Sequence, residues 1–214
     1  MNRRLVIFLS SLLLTIFMVG CSSLYYATWE QFGKEKRDLL RDSVVTARHE
    51  QKEAGRQFRD ALTQLQQSYL VTPTQLQGRY EQLKEQHRKL TSRYDALDTR
   101  ITKLNNIATD LFQEWREEAD TIGNRSFRQQ SLDQLAETRA RYTAMRSALV
   151  RTQDRCRPVL KKLNDYVLFL KHNLNARAIG ALQGEADDVI EGLTELIDEM
   201  NQSIAETDAF IETL

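Results

Sequence analysis

The sequence predicts an all-α protein: an elongated antiparallel coiled-coil or helical bundle of three long helices plus a shorter C-terminal fourth. Composition is the first observation behind this. Of 214 residues only 2 are proline and 8 glycine, while 28% are charged and 8% aromatic, which disfavours strand-rich folds with their many turns. Periodicity is the second. Apolar positions alternate by four and three over long stretches, the spacing that keeps one face of a helix turned toward its neighbours.

The chain opens differently. Arg3 and Arg4 precede a mostly apolar run from Leu5 to Val19, shorter than the roughly 20 residues a membrane span needs. This reads as a signal peptide over residues 1–20. Its end, "MVGC" at 18–21, resembles the lipobox of bacterial lipoproteins, in which the cysteine receives the lipid, so Cys21 is the expected lipidation site and first mature residue. The mature part, residues 21–214, is then a single helical domain.

Its first helix is expected over about 24–70. The seam runs Leu40, Val44, Ala47, Gln51, Ala54, Phe58, Ala61 and Leu65, with one polar position at Gln51. It stops at "VTPTQ", where Thr72, Pro73 and Gln75 have the spacing of a capping box. The second helix, about 73–121, carries the most regular seam: Leu76, Tyr80, Leu83, His87, Leu90, Tyr94, Leu97, Ile101, Leu104, Ala108, Leu111 and Trp115. Gly123 and Asn124 then act as stop signals, and Ser126 with Gln129 suggests a second capping box. A third helix, about 126–179, runs through Leu135, Tyr142, Met145, Leu149, Cys156, Leu163, Val167, Leu170 and Leu174. Pro158 falls inside it, so a kink or a break is expected near Arg157. The fourth, about 185–212, shows Val189, Leu193, Leu196, Met200, Ile204 and Ile211. Short links make successive helices antiparallel neighbours, which suggests three helices along a rod and the fourth covering one end.

Charge sharpens the arrangement. Residues 125–183 hold 12 basic and 4 acidic side chains, and residues 184–214 hold 10 acidic and no basic ones, while residues 21–124 balance at 16 against 16. The third and fourth helices should therefore lie side by side. Without residues 1–20 the chain has 30 acidic against 28 basic side chains, far from the basic excess of a nucleic-acid binder, so no nucleic-acid partner is expected. With Cys21 lipidated, Cys156 has no partner in the chain, and a disulfide-stapled fold is excluded.

Chemistry-bearing residues are sparse. His49, His87 and His172 are far apart and form no Glu-x-x-His pair, so no metal site, cofactor or catalytic residue is expected. His87 lies on the seam as a polar residue that fixes register, and Cys156 occupies a seam position suited to a small apolar group. Glu114 and Glu118 flank Trp115 as a solvated face. The most distinctive stretch is "YVLFLKHNLNARAIGALQGE", residues 166–185. Val167 to Leu170 is apolar on every face, so this segment should be surrounded. Beyond it Lys171, His172, Asn173, Asn175 and Arg177 form a polar cluster that either caps the helix end or binds an anionic lipid, a cell-wall group or a partner backbone. At the other end Tyr25, Tyr26, Trp29 and Phe32 suit either a membrane interface or core packing.

"MVGC", "YY" followed by "FGKEKRDLL", "LFQEW" and "LFLKHNLNARAIGALQGE" together make the chain similar to an uncharacterised family of bacterial envelope lipoproteins, a helical domain of unknown function. That resemblance implies a lipid-anchored Gram-negative protein and no assigned activity. The expected function is a non-enzymatic envelope scaffold or adaptor; the alternative is a binding module using the 171–177 cluster. Ser22 and Ser23 lack the aspartate resembling an inner-membrane retention signal, which points to the periplasmic face of the outer membrane. The expected partners are the membrane, through the N-terminal lipid, and an envelope protein. Homo-oligomerisation stays open, because a heptad seam serves internal and intermolecular packing equally.

Overall fold

The computed structural model describes residues 36–67, 75–173 and 179–214. Cys21, the signal peptide, the four N-terminal aromatic residues, Thr72, Pro73, Asn175 and Arg177 lie outside the described residues. Among those described there are four helices: α1 (Lys36–Gln67), α2 (Leu76–Thr121), α3 (Arg125–His172) and α4 (Ile179–Ile211). At 1.5 Å per residue the 46 and 48 residues of α2 and α3 span about 70 Å each, and the 33 of α4 about 50 Å.

The heptad seams become the core. All eight seam positions of α1 are buried, and nine of the twelve on α2; His87, Tyr94 and Trp115 are half-buried. Burying one large aliphatic side chain contributes about 1.5–3 kcal/mol, so a continuous stripe holds a helix far more firmly than its own propensity does. The seam of α3 passes through Tyr142, Met145, Leu149, Cys156, Leu163 and Leu170. On α4 it departs from the expectation. Ser203, Thr207 and Phe210 are buried, whereas Ile204 and Ile211 are only half-buried. The alternation that buries Leu193, Leu196 and Met200 continues through 203, 207 and 210. Burying Ile204 instead would turn the helix by about 100° midway, taking Phe210 out of the core.

The principal contacts are α1 with α2, α2 with α3, α3 with α4, and α4 with α1, which closes a ring. The pairs Lys36–Glu114 and Gln57–Gln86 show α1 and α2 antiparallel. The fourth helix does not merely cover one end. It lies along both α1 and α3, from Ala186 and Val189 near its start, which share a core cluster with Phe58 and Leu163, through the Arg155–Glu195 pair at its middle, to the Arg48–Asp208 pair and the Tyr142–Phe210 ring contact near its finish. The reason is an apolar seam that continues nearly to its C-terminus and has to be covered throughout.

Opposite charge does align α3 with α4. Arg151 Nε and Nη2 reach Glu199 and Glu206 at 3.2 and 3.3 Å, and Arg155 reaches Glu195 and Glu199 at 3.1 and 3.6 Å. On the opposite flank Arg48 and Lys52 of α1 hold Asp208 at 2.6 and 3.6 Å. Both arginines of α3 are about half exposed, so each pair contributes at most about 1 kcal/mol. Their effect is on which helix lies where.

Local signals act at the helix ends and at Pro158. The cap of α3 is Asn124, whose side chain accepts from the N–H groups of Ser126 and Phe127 at 2.9 and 3.2 Å; Ser126 and Gln129 do not form a capping box, and Asn124 starts α3 rather than stopping α2. Gln129 turns instead to Asp133, at 2.9 Å. The capping box expected at the start of α2 rests on Thr72, outside the described residues; Gln75 stands at the N-cap of α2. Pro158 does not break α3, which runs unbroken to His172. Because Pro158 faces solvent, the Asp154 carbonyl that loses its helical partner can turn to water.

Candidate functional site

Two ends of the rod carry the groups worth weighing. At the distal end, α3 finishes in the expected polar cluster. Lys171 and His172 are exposed in its last turn, where cations interact favourably with the helix carbonyls. Asn173 is the C-cap: its backbone N–H donates to the Leu170 carbonyl at 3.2 Å and its Nδ2 donates to the Phe169 carbonyl at 2.9 Å. Its side chain is therefore engaged with its own helix. Three consecutive residues at a helix end point in different directions, and no described bond joins one of them to another. Just before them Leu168 is 45% exposed, so the apolar run is not surrounded on all sides. Val167 and Leu170 face the core, Phe169 is half-buried, and Leu168 occupies the outer face.

At the basal end, where α1 begins, four segments converge on a cleft of about 250 Å³. Trp115, the last seam residue of α2, stands at its centre. Its indole Nε1–H donates to Ser131 Oγ of α3 at 3.0 Å, and the Arg37 guanidinium of α1 lies 4.8 Å from the ring centroid. One residue back on each helix, Lys36 Nζ donates to Glu114 at 2.8 Å. The remaining wall comes from α3, with Gln134, Thr138 and the Glu137–Arg141 ion pair, and from Thr213 and Leu214. The cleft thus presents two guanidinium groups against one side-chain carboxylate. Trp115 was visible as the end of a seam; the charged wall was not, because Arg37 of α1 meets Gln134 and Arg141 of α3 only through packing.

The reactive side chains are spent in packing. Cys156 is buried and its thiol is pushed up to about 12 by burial, which keeps it protonated and unreactive. Burial likewise raises the Tyr142 and Tyr166 phenols to about 12. Tyr142 stacks edge-on between Phe112 and Phe210, with ring centroids at 5.5 and 5.9 Å. His87 is half-buried; desolvation lowers its pKa, and a hydrogen bond with the Leu160 backbone partly opposes that. This is the expected partnered seam histidine. Among the described residues no group of three His, Cys, Asp or Glu side chains could hold a metal ion, and no helix is long and apolar enough to cross a membrane.

Comparison with known families matches residues 25–214 to DUF2959, a family described as protein of unknown function. The chain belongs to that family. The match spans nearly all of the chain beyond the apolar N-terminal run, so the four described helices lie within one family domain. No curated protein and no solved structure matches. Membership in DUF2959 therefore brings no named activity, ligand or partner.

Proposed function

We propose that this DUF2959 protein is a lipid-anchored periplasmic scaffold or adaptor in the bacterial envelope, working by reach and contact rather than by catalysis. The observation that carries this reading is the use of the core. Four heptad seams run almost the length of the rod, and its buried thiol and phenols serve packing. A bundle built this way is a stiff spacer of about 70 Å. The "MVGC" motif supports attachment through lipid on Cys21. Chain direction supports the orientation: α1 starts at the basal end, so a tether on Cys21 holds that end near the membrane and points the α3 C-terminus away from it. Acyl chains add about 0.8 kcal/mol per buried methylene, and several anchor firmly where one does not.

The test has two arms. Fractionation of Cys21→Ala should release the processed protein from membranes, and continued attachment would reject lipid as the tether. A photoreactive group at exposed His172 should capture one envelope protein in intact cells, while the same group at exposed Arg139, about a third of the way along α3, should not. Equal capture at both positions, or none at either, would reject a tip that makes specific contact.

A further inference from the structure

The apolar core is divided in two. One block contains Phe58, Leu83, Leu163 and Leu193, and the other contains Val44, Leu104, Leu149 and Phe210. Between them every helix places a polar or hydroxyl-bearing residue on its seam: Gln51 on α1, Tyr94 on α2, Thr152 on α3 and Ser203 on α4. Neighbouring contacts put these four within about one and a half turns of one another along the rod. Glu50 pairs with Arg93, so Gln51 stands beside Tyr94. Arg157 donates to Tyr94 Oη at 3.1 Å, one and a half turns from Thr152. Arg151 spans Glu199 and Glu206, which bracket Ser203, and Arg48 and Lys52 hold Asp208 one and a half turns below it.

This layer is fully enclosed. Gln51 and Thr152 are 0% exposed and Ser203 is 1% exposed. Thr152 donates to the Ala148 carbonyl at 3.1 Å. Among the described residues the Gln51 carboxamide and the Ser203 hydroxyl find no hydrogen-bond partner. Burying such groups costs desolvation that an apolar pair of the same shape would not, so the layer weakens the native bundle. A strictly apolar seam, however, has its own difficulty: repeated heptads pack almost as well after a slip of seven residues.

We propose that the Gln51–Thr152–Ser203 layer is a register key, setting the length of the rod by making the slipped bundle worse than the native one. In the native register Gln51, Thr152 and Ser203 all fall in the gap between the two apolar blocks. After a slip of one heptad Gln51 would fall at the Val159 and Leu196 level or the Met145 and Phe210 level, where the packing is apolar. The offset between helix ends would change by about 10 Å, seven residues at 1.5 Å each.

The test uses the full-length mature chain carrying Cys21→Ala, with spin labels introduced through Thr63→Cys on α1 and Ala209→Cys on α4. Both positions are exposed, and because Arg48 pairs with Asp208, Thr63 lies about fifteen residues, or about 22 Å, further along the axis than Ala209. With the polar layer intact, one label–label distance is expected. In the apolar variant Gln51→Leu with Thr152→Val and Ser203→Ala, and also in Gln51→Leu alone, the Tm should rise and a second distance, displaced by about 10 Å, should appear. Gln51→Asn should keep the single distance. One unshifted distance in both apolar variants would overturn the proposal, and so would a lower Tm, which would mean that the layer's groups are internally paired. A second population in Gln51→Asn would also overturn it, by showing that side-chain volume rather than polarity sets register.

Discussion

Replacing Gly55 by alanine is expected to stabilise the bundle by about 1–1.5 kcal/mol. Gly55 is buried in the interior of α1, where glycine costs about 0.8–1 kcal/mol of helix propensity relative to alanine. A Cβ built there meets Arg59 Nη1 at 3.7 Å and Met200 Cε at 3.9 Å, ordinary van der Waals distances to the ends of two flexible side chains. The added methyl therefore fits without displacing α4, and burying it is worth up to about 0.8 kcal/mol more. For a domain of 150–250 residues each kcal/mol moves Tm by about 2–4 °C, so a rise of about 3–6 °C should appear in thermal melts followed by helical circular dichroism. Two companions separate the contributions. At Gly78 a Cβ meets nothing within 4 Å, so Gly78→Ala reports propensity alone, and in the first turn of α2 that gain is smaller. At Gly192 the new atom lies 3.4 Å from Val159 Cγ2, and Gly192→Ala should gain least. A fall in Tm for Gly55→Ala, or a larger gain at Gly192 than at Gly55, would refute the α1–α4 and α3–α4 spacing on which the ranking rests.

Removing the α3 cap through Asn124→Ala should cost about 1 kcal/mol, and Asn124→Asp should restore most of it, both read as shifts in urea midpoint. His87 makes stability depend on pH. Its folded-state pKa lies below the ordinary 6.5, so the unfolded chain binds more protons and stability falls as pH drops below that value. The acid-side slope of Tm against pH should be shallower in His87→Gln than in the wild type, and identical slopes would refute the assignment. Cys156 should react with a disulfide reagent at pH 8 only as fast as the bundle opens, so modification should track urea concentration; rapid reaction of the native protein would contradict its burial.

The helices of the first half were legible because their seams alternate without a slip, and that periodicity requires no knowledge of partners. Every seam position read for α1 is buried, Gln51 included. Failures came where two local patterns compete. Ile204 and Ile211 sit one position from the true seam of α4, and an apolar side chain is the more obvious choice until the neighbouring helices define which face is inward. Asn124 and Ser126 can each cap a helix, and the deciding factor is which side chain reaches free N–H groups. Of the distal cluster, Asn173 was legible as a helix cap; the basal cleft was not, since Arg37, Trp115 and Arg141 are separated by up to about a hundred residues and meet only through packing.

Helix content, heptad period and the opposite charges of α3 and α4 were determined by the sequence, because each depends on spacing or composition along one chain. Tertiary structure decided that α4 lies along α1 and α3, and that Gln51, Thr152 and Ser203 fall between the two apolar blocks. Which buried faces meet, and at what offset, depends on the packing of all four helices together, and no single stretch of sequence contains that information.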